Sequence, residues 1–232
     1  MTYVMSDIHG QYEKYRKMLE KIAFSDDDTL YILGDVLDRG DESMKILYDM
    51  SMRPNVIPFM GNHEHMAEYV LRKLNVEITE QSLENNFTVD VLRALNEWYE
   101  NGGQPTAKEF SRLSIDDREY LLDYLSEFSF YEEITVGENT FVLVHGALYD
   151  FSPEKELDDY HPLFCIYNRA DYTKTYYPDK YLITGHTPTY LFAPECDGKI
   201  YRKNRHIAID CGVCHGKNLG CIRLEDFKEF YV

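Results

Sequence analysis

Short apolar runs separated by polar, glycine-containing segments dominate the hydrophobic pattern of the chain. Five such runs begin near Tyr3, Leu30, Val56, Phe141 and Tyr181. Each is too short for a typical helix, and an apolar run of this length bounded by glycine predicts a buried β-strand.

Helical spacing of apolar residues fills the gaps between the first three runs. Residues 11–23 and 42–52 show it, so the first 64 residues predict a β-α-β-α-β unit and a largely parallel sheet. From residue 65 to about 130 only helical spacing remains. We interpret residues 65–130 as a helical cap inserted into the domain, because insertions at this place commonly govern access to a site.

Strand-like patterns return after the predicted cap. Residues 131–136 and 140–145 predict a hairpin, and residues 205–210 and 219–224 predict two further strands. The fold class is therefore α/β. A chain of 232 residues suits a single domain spanning residues 1–232, with the cap as an insertion within it.

Metal-ligating residue types follow the five apolar runs. Carboxyl ends of parallel strands share one edge of a sheet, where α/β proteins place their sites. The residues are Asp7, His9, Asp35, Asn62, His145 and His186. A single histidine is more often a core residue, and a single aspartate is more often a helix cap. The prediction therefore depends on all six residues occurring together. Oxygen and nitrogen donors suit two hard or borderline divalent cations, and a central Asp35 can bridge a pair about 3.5 Å apart.

Three residues near these ligands predict acid catalysis and phosphate binding. His63 follows Asn62, and a carboxylate such as Asp38 would raise its pKa and suit it to protonate a leaving oxygen. Arg39 can hold two phosphate oxygens with its planar guanidinium. A local surface ion pair of Asp38 and Arg39 is the simpler alternative. Glu64 is expected to cap the next helix or to orient a neighbour.

The charge of the chain limits its partners. A formal net charge of -17 argues against binding to a nucleic-acid backbone or an anionic membrane surface. A phosphorylated substrate therefore needs local cations to attract it. Five cysteines, an odd number, and an apolar run beginning almost at Met1 lead us to expect a cytoplasmic protein with no targeting segment.

A second possible metal-binding motif lies near the C-terminus. Cys211, Cys214 and His215, with Cys221, resemble part of a zinc knuckle. We favour the simpler interpretation of small residues in a strand-turn-strand segment, because the ligand set is incomplete at structural-zinc spacing.

The polar segments together resemble a known family. Residues 7–10, 34–40 and 61–64 are similar to the three motif blocks of the phosphoprotein phosphatase family, within the calcineurin-like metallophosphoesterase superfamily. Residues 145–146 and 185–188 match its two later histidine blocks. The resemblance implies a four-layer α/β sandwich with two central mixed β-sheets flanked by helices.

The same resemblance implies roles for individual residues. It places Asp7 and His9 on one ion, with Asp35 bridging. It places three residues on the other ion: Asn62, His145 and His186. It also implies that His63 is the general acid paired with Asp38, and that Arg39 binds phosphate. A second phosphate-binding arginine is expected in residues 164–169. Arg169 is our choice there, with Arg202 or Arg205 as substitutes.

The implied activity is metal-dependent phosphoester hydrolysis by a hydroxide held between two divalent ions. The chain resembles the compact bacterial and phage members, so we expect a serine/threonine-type phosphoprotein phosphatase. The alternative is hydrolysis of diadenosine tetraphosphate, and a remote one is a non-catalytic phosphate-sensing scaffold. Manganese is the expected metal, while iron, zinc or cobalt would also suit mixed nitrogen and oxygen ligands.

Overall fold

The structure is a computed structural model that describes residues 1–76 and 86–232. Residues 77–85 belong to the predicted cap and lie outside the described residues. The described strands are β1 (Thr2–Met5), β2 (Thr29–Ile32), β3 (Val56–Pro58), β4 (Tyr131–Val136), β5 (Asn139–Val144), β6 (Tyr181–Thr184), β7 (Tyr201–Lys203), β8 (His206–Ala208), β9 (Gly220–Arg223) and β10 (Lys228–Tyr231). The described helices are α1 (Tyr12–Lys21), α2 (Ser43–Ser51), α3 (Asn62–Leu74), α4 (Val89–Glu100), α5 (Gln104–Phe110), α6 (Ile115–Ser126) and α7 (Pro162–Tyr167).

The strands form two mixed sheets. The first has the order β10-β9-β1-β2-β3, with β1, β2 and β3 parallel, as the alternating pattern predicts. β9 and β10 extend it in antiparallel fashion. The second has the order β4-β5-β6-β8-β7, in which the predicted hairpin of β4 and β5 lies at one edge.

Alternation of side chains along the central strands creates the layers. Tyr3 and Met5 pack into the core shared with the helices, while Val4 between them packs against residues of the second sheet. On β5, Phe141 and Leu143 join that same inter-sheet core, whereas Val142 and Val144 face the side covered by α7. Because successive residues of a strand point to opposite faces, each sheet is buried on both sides. This is the α/β sandwich of two mixed sheets flanked by helices that was expected.

Helices α3 to α6 occupy the segment predicted to be helical. α3 starts at Asn62, so Asn62 and His63 lie on its first turn rather than directly at a strand end. β3 ends at Pro58, because the chain turns into the helix over residues 59–61. Ser114 caps the start of α6, with its hydroxyl accepting a hydrogen bond from the Asp117 amide. No helix in residues 1–76 or 86–232 is long and apolar enough to cross a membrane.

Candidate metal centre

Unusual backbone conformations concentrate where the loops after the central strands meet. Six predicted site residues have a positive φ, a conformation that L-residues seldom adopt: Asp7, His9, Asp35, Asp38, Arg39 and His186. Such strain persists only where the surrounding structure enforces it, and it clusters at functional sites.

Close backbone contacts enforce this conformation. The amides of Asp7 and His9 donate to the carbonyls of Gly34 and Asp35, so the loops after β1 and β2 stay paired beyond the strands. Gly40 packs against the carbonyl of His9, and a Cβ atom on Gly40 would lie 2.4 Å from that oxygen. A residue larger than glycine cannot occupy this crossing without moving one of the loops.

Asp35 lies between two groups of possible metal ligands. Its Oδ2 is 3.8 Å from Nε2 of His9 and 3.9 Å from Nε2 of His63. Its Oδ1 is 3.4 Å from Nε2 of His145. Both groups are compact enough to hold an ion: one is His9, Asp35 and His63, and the other is Asp35, His145 and His186. One carboxylate therefore faces both groups, as a bridging ligand must.

The imidazoles are held in place from behind. Nδ1 of His9 contacts the Leu37 carbonyl at 2.9 Å, and Nδ1 of His145 contacts the Leu33 carbonyl at 2.6 Å. These contacts leave each Nε2 facing the site, the arrangement by which proteins orient histidine ligands. The amide oxygen of Asn62 is 3.2 Å from Nε2 of His145 and 2.9 Å from Nδ1 of His186. Asn62 thus joins the second group.

Asp7 lies beside the groups and belongs to neither in its present orientation. Its carboxylate accepts hydrogen bonds from the backbone amide of His186 and from the hydroxyl of Ser6. Asp7 is buried and its charge is felt by Asp35. Its sharing of an ion with His9 stays a prediction, because His63 occupies the place beside His9 in the first group.

Glu64 orients the loop that carries Asp35. Its Oε2 accepts from the amides of Asp35 and Gly61, and its Oε1 accepts from the amides of Val36 and Leu37. Glu64 is completely buried, so these four bonds provide its solvation. Both expected roles of Glu64 are present: the bond from the Gly61 amide caps α3, and the other three bonds orient the loop that carries Asp35.

His63 pairs with Asp38 as predicted, and a tryptophan joins them. Nδ1 of His63 is 2.7 Å from Oδ2 of Asp38. The indole Nε1 of Trp98, on α4, donates to the same oxygen at 2.8 Å. Burial tends to lower the pKa of His63, but the carboxylates of Asp35 and Asp38 outweigh it and raise that pKa. Asp38 is fully buried, which excludes the alternative of a surface ion pair.

The pKa values of buried groups in the ion-free protein agree with a site that binds cations. Burial raises the pKa of Asp7 well above its usual range and that of Asp210 to about 7. Burial acts against charge on His145 as well, yet Asp35 and Asp7 raise its pKa to about 10. Buried carboxylates thus recruit protons in the absence of metal. A mixed carboxylate, imidazole and amide donor set of this kind fits two divalent cations.

The predicted phosphate-binding arginines lie on different sides of the ligand groups. Arg39 places one guanidinium nitrogen 2.9 Å from Nε2 of His9 and another 3.0 Å from Nε2 of His63. Arg169 is exposed just after α7, and its positive charge is one of the smaller causes of the lowered pKa of His186, after burial. Arg202 contacts the Phe227 carbonyl and Arg205 covers the Tyr181 ring, so both are engaged elsewhere.

The cysteine motif forms no metal site in the described part of the chain. Neither group of possible ligands there includes a cysteine. Cys211 and Cys221 are buried free thiols, and Sγ of Cys214 accepts a hydrogen bond from Arg39. The segment runs from β8 through a single 3-10 turn at Val213–His215 to β9, the strand-turn-strand course that was expected.

Sequence reasoning gave no role to two features of the site. The Trp98–Gly103 segment contacts Asp38 and Arg39 directly, although its pattern was noted only as part of the cap. Asp210 is buried near Asp7 and accepts a hydrogen bond from the Gly212 amide. A carboxylate directly after an apolar run was the available signal for Asp210.

Comparisons with known proteins identify the family of the chain. A sequence profile described as calcineurin-like phosphoesterase matches residues 2–212. A symmetrical bis(5'-nucleosyl)-tetraphosphatase of Buchnera aphidicola subsp. Acyrthosiphon pisum (strain 5A) is 46% identical over 65 residues, which are 27% of this chain. That match spans about a quarter of the relative's length, 24%.

Solved structures share the fold. One, provisionally described as a diadenosine tetraphosphatase, has a TM-score of 0.69 at 14% identity and covers 100% of this chain and 92% of its own. A serine/threonine phosphatase from Saccharomyces cerevisiae has a TM-score of 0.53 at 12% identity, covering 100% of this chain and 78% of its own. With a family profile matching most of its length and two ligand groups joined by one carboxylate, this chain belongs to the calcineurin-like phosphoesterases, metal-dependent hydrolytic enzymes.

Proposed function

We propose that the protein hydrolyses dinucleoside polyphosphates, with diadenosine tetraphosphate as the reference substrate and two molecules of ADP as products. This was the alternative to a serine/threonine phosphoprotein phosphatase. The name of the partly aligned Buchnera relative supports it. For phosphoprotein hydrolysis the support is a likeness of fold at 12% identity, which carries no substrate information.

The observation that carries the proposal is a pair of clefts, one at each predicted phosphate-binding arginine. A cleft of about 770 Å³ includes Arg39, and one of about 240 Å³ includes Arg169. The first is lined by Gly10, Gln11, Tyr12, Glu13, Arg39, Gly40, Asp41, Glu42, Lys45, Glu109 and Arg112. A nucleotide fits a cleft of the first size. A substrate with a nucleoside at each end of a phosphate chain needs room on both sides of the reacting phosphates. We propose that the two clefts provide it, each reached from the metal ligands through its arginine, because the lining of neither cleft includes a predicted ligand.

Exposed aromatic rings near Arg169 add to this support. Tyr149, Phe164 and Tyr167 are each about half exposed, at 55%, 48% and 42%. Tyr149 and Phe164 pack edge to face, with ring centroids 5.3 Å apart. Nucleobases stack on exposed aromatic rings with little dependence on base identity.

The proposed metal holders are the six predicted ligands: Asp7, His9, Asp35, Asn62, His145 and His186. Two divalent cations bound there supply the charge that binds phosphate oxygens and lowers the pKa of water to near neutrality. Manganese is our candidate, with iron, zinc or cobalt as alternatives, because the donor set does not discriminate among them.

The chain's own groups complete the chemistry. Arg39 and Arg169 hold phosphate oxygens from the two clefts and align the phosphate chain. His63, fixed by Asp38, protonates the oxygen that leaves with the departing nucleotide. No side chain is proposed as a covalent nucleophile.

Product analysis tests the proposal. The purified protein with Mn²⁺ is incubated with diadenosine tetraphosphate, and nucleotides are separated by chromatography. We expect ADP alone, and the Asp35→Asn variant serves as the inactive control. AMP with ATP would show that cleavage is asymmetric. Release of phosphate from a phosphoseryl peptide without cleavage of the dinucleotide would favour a phosphoprotein phosphatase instead. No turnover of either substrate would favour the non-catalytic phosphate-sensing scaffold.

A further inference from the structure

The helical segment α4–α5 reaches into the centre through Trp98. The indole is fully buried, and its N–H donates to Oδ2 of Asp38, the same oxygen that contacts His63. The other carboxylate oxygen of Asp38 is buried and has no hydrogen-bond partner among the described residues. Oδ2 therefore carries both bonds, and the indole N–H sets the direction in which that oxygen points.

Asp38 and Arg39 need external support. They are consecutive non-glycine residues with φ of +71° and +68°, and each is disfavoured in that conformation. Two such residues in succession are retained only if neighbouring contacts favour them over a relaxed loop.

The same helical segment provides these contacts. The Arg39 amide donates to the Gly102 carbonyl at 2.9 Å. The Asp38 amide lies 3.0 Å from the hydroxyl of Thr106, on α5, and 3.1 Å from that of Ser43. The segment thus contacts the backbone of both residues as well as the Asp38 side chain.

Glycines allow this close approach. Gly102 has φ of +99°, and a Cβ there would lie 2.9 Å from Cγ of Arg39. A Cβ on Gly103 would lie 2.4 Å from the Trp98 ring. The turn between α4 and α5 is therefore packed against both the arginine and the indole.

We propose that Trp98 is a positioning residue that fixes the Asp38 carboxylate, and through it the His63 ring, for protonation of the leaving oxygen. The segment acts as part of the reaction centre in addition to any control of access. The inference rests on the part of the proposed function that makes His63 the proton donor, and it is independent of the nucleotide specificity.

The test compares Trp98→Phe with the wild type. This change removes the N–H and keeps an aromatic ring. kcat and KM are measured with Mn²⁺ on phenyl phosphate, whose leaving group needs a proton, and on 2,4-dinitrophenyl phosphate, whose leaving group does not. We expect kcat on phenyl phosphate to fall about tenfold, with less than about a twofold change on the dinitrophenyl ester. KM and bound metal should stay unchanged.

Val91→Ala is the matched control, since Val91 is buried on the same helix and has no contact with Asp38 that the structure records. It should lower the melting temperature and leave the ratio of the two rates unchanged. If Trp98→Phe lowers both rates equally, as a purely structural change would, the inference is overturned. The inference is also overturned if Trp98→Phe is as stable as the wild type and the ratio of the two rates does not change.

A near-isosteric replacement covers the case in which Trp98→Phe does not fold. Trp98 is the only tryptophan of the chain, so supplying 3-benzothienylalanine in place of tryptophan during expression exchanges the N–H for sulfur and keeps the size of the ring. The ratio of the two rates should shift as with Trp98→Phe, and the absence of a shift contradicts the inference. The ratio of the two aryl-ester rates could shift as expected while the wild type fails to cleave diadenosine tetraphosphate. That result would refute the proposed substrate and leave the inference about Trp98 standing.

Discussion

Asp35 connects the two ligand groups, and its behaviour decides whether they act as one centre. Oδ1 faces His145, and Oδ2 faces His9 and His63. Burial alone would raise the pKa of Asp35, but the surrounding imidazoles hold it well below its usual range. The residue is therefore a carboxylate with both oxygens available to ligands.

We predict that Asp35→Asn loses both ions together. An amide has one oxygen that can ligate, and it lacks the charge that two neighbouring cations require. Metal analysis of protein purified with Mn²⁺ should fall from about two ions per chain to fewer than about 0.5. Retention of one tightly bound ion would indicate two independent sites.

We predict that Glu64→Gln destabilises the protein and weakens metal binding without removing a ligand. The amide nitrogen of glutamine cannot accept, so two backbone N–H groups among those of Asp35, Val36, Leu37 and Gly61 lose their partner. We expect a loss of about 3 kcal/mol in the free energy of unfolding measured by urea denaturation. Glu68→Gln, at a partly exposed position of the same helix where the glutamate pairs with Arg72, is the control and should change stability by less than about 1 kcal/mol.

At the scale of elements, the loops after the strands determine the centre more than the strands do. The loop after β1 and the loop after β2 cross at Gly10 and Gly40. The crossing brings His9 and Arg39 into contact, because the two backbones approach without a side chain between them.

We predict that Gly40→Ala abolishes most activity. A Cβ at residue 40 would overlap the His9 carbonyl at 2.4 Å, and relief of that overlap moves His9 away from Asp35. A displacement of about 1 Å in a catalytic group costs on the order of 100-fold in rate. Gly216→Ala also adds a methyl group but meets no atoms within 4 Å, so it is the control for a glycine-to-alanine change without overlap. Gly216 has a positive φ and Gly40 does not, so the control variant bears the greater backbone strain. Equal activity of the two variants would argue against the crossing as a determinant.

Elements differ in how far the sequence predicts them. Strands β1, β5 and β6 are mostly apolar runs buried on both faces, so their pattern is strong, and β2 alternates buried and partly buried positions. β7 and β10 were not predicted, because they are edge strands of three and four residues with mostly partly or fully exposed side chains. Their positions depend on pairing with β8 and β9, which no local pattern records.

Prediction of the candidate metal centre from the sequence is limited in the same way. The ligands were predictable because each follows a strand or a tight glycine turn. The bond from Trp98 to Asp38 joins residues 60 positions apart, and the apolar spacing of α4 records only that Trp98 is buried. Resemblance to a family supplied the pairing of His63 with Asp38, which residue chemistry alone left open.

At the scale of the whole molecule, negative charge opposes folding of the protein without metal. The chain carries a formal net charge of -17, and some of its acids are buried at the centre. Burial raises the pKa of Asp210 to about 7 and that of Glu64 to about 6. Both values exceed those of an unfolded chain, so the folded state binds more protons than the unfolded one at these two residues.

We predict that Asp210 makes the metal-free protein less stable as the pH rises. The contribution of these two acids is complete below about pH 4 and is lost as the pH passes through about 6 to 7. Burial lowers the pKa of His186 to about 3 and that of His206 to about 4, which acts in the opposite direction, so the comparison with a variant isolates the acid. In EDTA the wild type should lose stability relative to Asp210→Asn between about pH 5 and about pH 8, by on the order of 2 kcal/mol, and Mn²⁺ should reduce that loss. A difference between the two proteins that does not grow with pH in EDTA would contradict this charge balance.

Anomalous diffraction from a crystal loaded with Mn²⁺ tests the central claim most directly, since the claim is one carboxylate joining two ions. We predict two peaks on either side of Asp35, about 3.5 Å apart, one near His9 and the other near His145 and His186. A single peak at full occupancy, or a pair that Asp35 does not touch, would contradict the account.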